Sequence, residues 1–485
     1  MRMLLPALLA ALAPITAGAQ EAAPDLVFTG AITGADHQHY KPVPFDVPKG
    51  VERITVTLSY DKASKTVVDL GLWDPVRFRG WSGGTRDRFT IAPSDASPGY
   101  LPGALPAGRW QVMLGVPNAR AGSKAAYRVT VAFDRGAVRH ASAAIADPPI
   151  DRNPGWYRGD LHMHDAHSDG SCASQSGRRV PCPLFRTVEA AAKAGLDFVA
   201  VTDHNTTAHF SGLRELQPFF DRLLLIPGAE ITTFGGHANL IGPRGFVDFR
   251  IGSRAVPDVR ALQRAAAASG GLLSLNHPAL PSGEACMGCG WTWPDTDWSA
   301  VTAIEAVNAN AAEGPLAGIG FWYARLNAGH RLTGIAGSDN HDPDAPSGKA
   351  PIGRPTTVVH AANLSTDAIL AGIRAGNVFI DVRGGAKRLL EVEGAAGGRV
   401  AAMGGTLDAA PETLLRIHAR GVAGATAELI ANGKPAQTQP IDGDDARLVF
   451  RLGRPGCGWA AVNVRDGAGH PLLIGNPIYL RCRSK

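Results

Sequence analysis

Beyond its first twenty residues the chain has no apolar run long enough to cross a bilayer, so no membrane-spanning helix is expected. It has no basic run interleaved with aromatics. Its net charge of +5 is spread along its length, which argues against a nucleic acid as partner. It has no low-complexity tract and no internal repeat beyond two regions of similar strand character. Cysteine is scarce: six residues fall into three local pairs, Cys172 with Cys182, Cys286 with Cys289, and Cys457 with Cys482. An even count in an exported chain favours disulfides. Cys286-Met287-Gly288-Cys289 also has the spacing of a redox or zinc-knuckle motif. No second such pair exists to complete a four-sulfur zinc site, and no thioredoxin-like context surrounds it, so a disulfide is favoured there over free thiols.

What is present begins with a processing segment. Met1-Arg2 is positive, Leu4 to Ile15 is nearly all apolar, and Ala17-Gly18-Ala19 is a small-x-small cleavage site. This pattern predicts a signal peptide over residues 1–19, cut after Ala19, and a periplasmic or secreted protein. No cysteine follows the cut, so no lipid anchor is expected there.

The length suggests about three domains at roughly 150 residues each. Residues 20–145 alternate apolar and polar positions, as in Val51–Tyr60, Arg109–Leu114 and Tyr127–Phe133. Turn-forming glycines and prolines lie between, which predicts an N-terminal β-sandwich. From 155 to 383 short apolar runs alternate with helical patterns, the rhythm of an α/β domain with a parallel sheet or barrel. After Gly384-Gly385 strand signals return, among them the Asn432-Gly433 hairpin turn, and residues 385–485 read as a second β-sandwich.

Ten of the fifteen histidines lie between His162 and His360, most of them beside an acid or another histidine. They gather in five stretches: Asp160-Leu161-His162-Met163-His164 running on to Ser168-Asp169-Gly170; Thr202-Asp203-His204; Glu230 followed by His237; Asn276-His277-Pro278; and Ser338-Asp339-Asn340-His341. Imidazole and carboxylate are the usual ligands of zinc, manganese and iron. In a strand, residues two apart share a face, so His162 and His164, and again Asp339 and His341, can serve one centre. The proline after His277 predicts an extended backbone there. So many buried ionisable groups are very unfavourable unless paired or metal-bound. They therefore predict a polynuclear metal centre at the C-terminal ends of the strands, and hydrolysis by activated water. His167, His209, His330 and His360 are read as surface or supporting residues.

These motifs resemble those of the polymerase-and-histidinol-phosphatase (PHP) superfamily over roughly residues 156–380. The flanks, Asp69-Leu70-Gly71-Leu72-Trp73-Asp74, Pro102-Gly103 with Gly108-Arg109-Trp110, and Asn476-Pro477-Ile478-Tyr479, are similar to the carbaryl hydrolase-like (CehA/McbA) branch. The resemblance implies a distorted (β/α)7 barrel with two to three divalent ions (zinc, manganese or iron). It implies one ion on His162, His164, Glu230 and Asp339. A second would share Glu230 and add His237 and His277, and a third would sit on Asp169, His204 and His341.

The expected partner is a small-molecule substrate. Phosphate mono- or diesters come first, with phosphoesterase chemistry implied by the superfamily. An aryl ester or carbamate, implied by the nearer branch, is the alternative, and a non-catalytic protein of the envelope that binds polysaccharide is a third reading. Glu230 is expected to bridge ions. Asp203 is a candidate proton acceptor or, equally, a turn-maker that orients His204. Arg354 is a candidate for binding a substrate oxyanion, with a surface salt bridge as the alternative. Trp291, Trp293 and Trp298 are candidates for an aromatic wall, or for simple packing.

Overall fold

The computed structural model describes residues 23–82, 86–135, 149–282, 286, 288–345, 350–385, 388–453 and 456–482. The expected signal segment 1–19 and the Asp147-Pro148 part of the linker lie outside the described residues. Among the described residues no helix is long and apolar enough to cross a membrane.

The first region is built from β1 (Leu26–Thr33), β2 (His39–Val47), β3 (Arg53–Tyr60), β4 (Val67–Trp73), β5 (Phe78–Trp81), β6 (Arg88–Ile91), β7 (Gly108–Asn118) and β8 (Lys124–Asp134). They form two antiparallel sheets, ordered β1-β8-β3-β6 and β2-β7-β4-β5. Alternation turns every second side chain inward, so Phe45, Ile54, Leu70 and Trp110 meet in one core between the sheets.

The central region runs β9 (Gly155–Asp160), β10 (Ser171–Ala173), β11 (Arg179–Pro181), α1 (Leu184–Lys193), β12 (Phe198–Val201), α2 (Phe210–Leu216), β13 (Leu224–Thr233), β14 (Gly236–Ile241), α3 (Val259–Ala268), β15 (Leu272–Leu275), β16 (Ala303–Asn308), α4 (Gly318–Asn327), β17 (Thr333–Gly337), β18 (Thr356–Ala361), α5 (Thr366–Arg374) and β19 (Val378–Asp381). Its strands lie in the order β17-β16-β15-β14-β13-β12-β9-β18-β19. The parallel strands are apolar and buried on both faces, like Phe198–Val201.

A regular run of seven strand–helix units is not what forms. The described chain is strand-rich, with 43% strand against 11% helix. The β13–β14 and β14–β15 steps are antiparallel. Only two residues separate β13 from β14, which is room for a hairpin turn but not for a crossover helix. Beyond their strand ends, the chain after β9 and the chain after β17 come together. The His164 amide donates to the Asn340 carbonyl, and the Asp339 amide donates to the His162 carbonyl, each at 2.9 Å.

The last region adds β20 (Leu389–Ala396), β21 (Arg399–Ala402), β22 (Thr406–Asp408), β23 (Leu414–Arg420), β24 (Thr426–Ala431), β25 (Lys434–Pro440), β26 (Asp445–Arg451), β27 (Gly458–Arg465), β28 (Pro471–Gly475) and β29 (Ile478–Arg481). One sheet, β21-β20-β23-β26, packs through Leu390, Leu415 and Phe450 on a second sheet that is continuous with the central one. The join is the β19–β28 pair, Phe379 opposite Gly475. Buried Asn476 seals it: its side chain donates to the carbonyls of Gly334 and Val378, each at 2.9 Å, and accepts from the Gly334 amide at 2.8 Å. All six cysteines are bonded in the three local pairs.

Candidate metal centre

The strand ends deliver the side chains. His162 and His164 follow β9, His204 follows β12, Glu230 lies late in β13, His277 follows β15, and Asp339 and His341 follow β17. His237 begins β14. That strand runs opposite to its neighbours, so its first residues reach the same rim, where His237 stands across from Thr232. All nine residues expected from the sequence are thus brought to one place. The histidine pair lies past the end of β9 rather than within a strand, held extended by a bridge from Met163 to Asn340.

Four atoms converge at the centre. His162 Nε2 is 3.3 Å from both Glu230 Oε2 and Asp339 Oδ1. His164 Nε2 is 3.4 Å from the same Glu230 oxygen and 3.3 Å from the same Asp339 oxygen. Ligand atoms placed tetrahedrally about 2.0–2.1 Å from an ion stand about 3.3–3.4 Å apart. His162 Nε2, His164 Nε2 and Glu230 Oε2 are buried and make no hydrogen bond, a costly arrangement unless a ligand completes it. The donor set therefore fits a metal ion.

The other Glu230 oxygen faces a second group: Oε1 is 3.3 Å from His237 Nδ1 and 3.5 Å from His277 Nε2. A third group surrounds Asp169 Oδ1, with His341 Nε2 at 3.4 Å, His204 Nε2 at 3.7 Å and His164 Nδ1 at 4.0 Å.

Three of the remaining ring nitrogens are anchored outward. His162 Nδ1 is 3.0 Å from Glu305 Oε1. His277 Nδ1 donates to the Cys289 carbonyl at 3.1 Å, and His341 Nδ1 donates to the Asp339 carbonyl at 2.8 Å. A carbonyl only accepts, so in the neutral ring Nε2 carries the lone pair that faces the cluster. This outward anchoring is how metal-binding imidazoles are held.

Glu305 was missed by sequence reasoning. Its signal was a lone carboxylate in the apolar run Ala303–Val307. It also accepts from the His277 amide at 2.9 Å and from Asn308 at 3.0 Å. Asn276 donates to Glu230 Oε1 at 2.9 Å and fixes that carboxylate. Gly337 is required beneath them: a Cβ there would come within 2.4 Å of both Glu305 Oε1 and His162 Cβ.

Backbone strain collects at the rim. His277 has φ +28° and Asp339 φ +52°, values that L residues seldom adopt. The extended backbone expected before Pro278 is therefore corrected. The Glu305 carboxylate captures the His277 amide, and this bond fits the left-handed turn.

The electrostatics follow from the packing. Burial disfavours charge on His162, yet the carboxylates of Asp339, Glu305 and Glu230 outweigh it and hold the ring well above its usual range. Glu230 and Asp339, despite burial, are held well below theirs by the facing imidazoles, His162 foremost. Burial lowers His204 to about 4. Against the desolvation that would lower it, half-buried His341 is pushed up to about 9 by Asp169 and Asp339.

Other expected site residues fall elsewhere. Asp203 is buried and its contacts point into the protein: Oδ1 accepts from the Asp165 amide at 2.9 Å and from Ser168 Oγ at 2.5 Å. Burial pushes its carboxyl up and holds the facing His209 imidazole down. It braces loops and does not face the centre as a proton acceptor. Arg354 lies against the Gly384-Gly385 turn rather than at the cluster. Trp298 stacks on His330 and lies under Arg325. Trp291 and Trp293 pack on Gly236 and Gly235, and Trp293 Nε1 donates to Thr233 Oγ1 at 3.0 Å. These two therefore hold the hairpin that carries His237.

No protein-family model matches the chain, and no curated protein matches it. Among solved structures it is similar to a two-domain protein from Bacteroides vulgatus containing a predicted PHP-like metal-dependent phosphoesterase. The TM-score is 0.38 at 20% identity, over 69% of this chain and 97% of that one. It is also similar to a protein from Bifidobacterium adolescentis provisionally described as a metal-dependent phosphoesterase, with TM-score 0.29 at 17% identity over 44% of this chain and 94% of that one.

Proposed function

We propose that the chain is an exported metal-dependent hydrolase of the PHP superfamily that acts on small phosphate mono- or diesters. The observation that carries this reading is the set of three buried, hydrogen-bond-less atoms, His162 Nε2, His164 Nε2 and Glu230 Oε2, gathered with Asp339 Oδ1. The motif resemblance supports the phosphoester class, and three disulfides support an oxidising compartment.

In this reading His162, His164, Glu230 and Asp339 hold one divalent ion, Glu230 with His237 and His277 a second, and Asp169, His204 and His341 a third. When bound, such ions lower the pKa of water and neutralise charge on a transferring phosphoryl group. The chain's own part is orientation. Glu230 offers one oxygen to each of two imidazole groups, and Asn276 prevents that carboxylate from rotating. Glu305 points His162 Nε2 inward and sets the turn at His277. Apolar strands buried on both faces keep water from the floor of the site. Zinc, manganese and iron all suit a mixed imidazole and carboxylate set.

An aryl ester or carbamate substrate is the second reading. It is favoured by fully exposed Phe234 at the tip of the Trp-braced hairpin. Metal-loaded protein assayed in parallel on p-nitrophenyl phosphate, a bis-aryl phosphodiester and a naphthyl carbamate separates the two. Turnover of a phosphorus substrate is expected. Carbamate cleavage with no phosphorus turnover overturns the ranking, and protein that takes up no metal ends both readings.

A further inference from the structure

His209 is completely buried and belongs to none of the three ligand groups. It immediately precedes α2, and its side chain makes no capping hydrogen bond to that helix. Its Nε2 sits between two carbonyls, that of Val201 at 3.1 Å and that of Gly228 at 2.9 Å. Val201 ends β12, which leads to His204, and Gly228 lies within β13 two residues before Glu230. Its Nδ1 faces Asp203 Oδ2 at 3.3 Å, a buried contact in which neither atom makes a hydrogen bond. The other oxygen of Asp203 accepts from the Asp165 amide and from Ser168 Oγ, the residues next to His164 and Asp169.

One imidazole therefore reaches, through one carboxylate, the loop that carries Asp169 and the loop that carries His204. It has no such connection to His237 or His277. Those two are held from the other side, His277 by the Cys289 carbonyl and His237 within the hairpin that Trp291 and Trp293 brace. The far end of α2 is itself anchored. Buried Arg214 contacts Asp95 of the first region, and Asp95 also accepts a two-point contact from Arg53 at 2.7 and 3.1 Å. Helix α2 is thus a strut with a fixed outer end and His209 at its inner end.

We propose that His209 is the positioning residue for one ion alone, the ion held by Asp169, His204 and His341, and that it acts through Asp203. The inference rests on the metal-centre reading above. It predicts that a change at His209 weakens that position more than the others.

The two ring nitrogens can be separated by substitution. His209→Asn places an amide nitrogen near the Nδ1 position and keeps the contact to Asp203. His209→Gln reaches toward the two carbonyls and gives up Asp203. Ions per chain and their dissociation constants are measured by elemental analysis and by titration of manganese into metal-free protein. With His209→Gln the dissociation constant of one ion rises about 10- to 100-fold, the usual effect of losing a partner behind a ligand. With His209→Asn it stays within about threefold of the unaltered protein. Asp169→Ala removes the same ion, so His209→Gln adds no further loss on that background, but it does add a loss to His237→Ala.

The assignment is overturned if His209→Gln leaves every ion in place, strips all ions alike, or lowers metal content further when Asp169 is already gone. Should His209→Gln fail to fold, Ser168→Ala cuts the same connection nearer the surface. It must then weaken the same ion selectively, and unchanged binding overturns the assignment. The readout is metal content, not turnover. Unaltered protein that holds its ions but hydrolyses nothing would end the hydrolase reading and leave this one standing.

Discussion

Two parts of the molecule set histidine between carboxylates, and they behave as opposites. On the outer face of the C-terminal sheet, His418 Nδ1 meets Glu391 at 2.9 Å and Nε2 meets Asp445 at 2.8 Å. Both ring nitrogens are partnered, and the acids are 45% and 59% exposed. At the rim of the central sheet, His162 and His164 are buried, and each aims an unpartnered Nε2 at carboxylates more than 3.2 Å away. The same residue types therefore make a fully hydrogen-bonded set in one place and an incomplete coordination shell in the other. What separates them is whether burial leaves polar atoms unsatisfied, not how many acids and histidines are near.

That contrast can be broken most directly at Glu230. Glu230→Gln is expected to lower turnover by more than about 100-fold and to lose at least one ion per chain, since a bridging ligand should matter more than the 10- to 100-fold of an outer partner. Normal metal content and turnover would put the rim in the same category as the His418 face. Glu305→Gln should weaken metal binding by about 10- to 100-fold without touching an ion itself, measured as a shift in manganese titration. Gly337→Ala should act in the same direction by displacing Glu305 and His162.

Removing metal is expected to destabilise the fold. An ion present at 100 times its dissociation constant contributes about 2.7 kcal/mol. A chelator should then lower Tm by several degrees, and added metal should restore it. An unchanged melting curve would count against a structural coupling between ion and rim.

The electrostatics sharpen the comparison further. An ion needs the neutral imidazole, and His341 is protonated below about 9 in the metal-free protein. Metal binding should therefore release protons at pH 7, and affinity for the ion at Asp169, His204 and His341 should rise with pH up to about 9. Calorimetry in buffers of different ionisation enthalpy counts those protons, and none released would contradict the assignment of His341. At the other extreme, His418→Gln should cost no more than about 1 kcal/mol, as exposed pairs do, and leave metal content unchanged.

Much of the site was legible in the linear chain because its ligands sit in short stereotyped stretches. His162-x-His164 and Asp339-x-His341 announce themselves by spacing, and each follows an apolar strand that the pattern also reveals. Helix α3, Val259–Ala268, buries Val259, Leu262 and Ala266 at the helical spacing that the linear chain already displays. Glu305 and His209 carried weaker signals, one acid in an apolar strand and one histidine before a helix. Their partners lie 143 residues away for Glu305 with His162, and 19 for His209 with the Gly228 carbonyl. Arg354 and Trp298 misled for the converse reason. Each stands near a motif in sequence, but both lie in loops between strands, and where a loop side chain lands is set by packing rather than by distance along the chain.

Local chemistry, then, was decided by the sequence alone: which residues can bind metal, where strands and helices alternate, and which cysteines pair with a near neighbour. Only the tertiary structure decided that the reversed strand β14 returns His237 to the common rim, that β19 and β28 weld the C-terminal sheet onto the central one, and that Glu230 turns a different oxygen to each imidazole group. Periodicity is a property of a few consecutive residues. Convergence depends on hydrogen-bond registers and burial between segments far apart in the chain, and these exist only once the chain has packed.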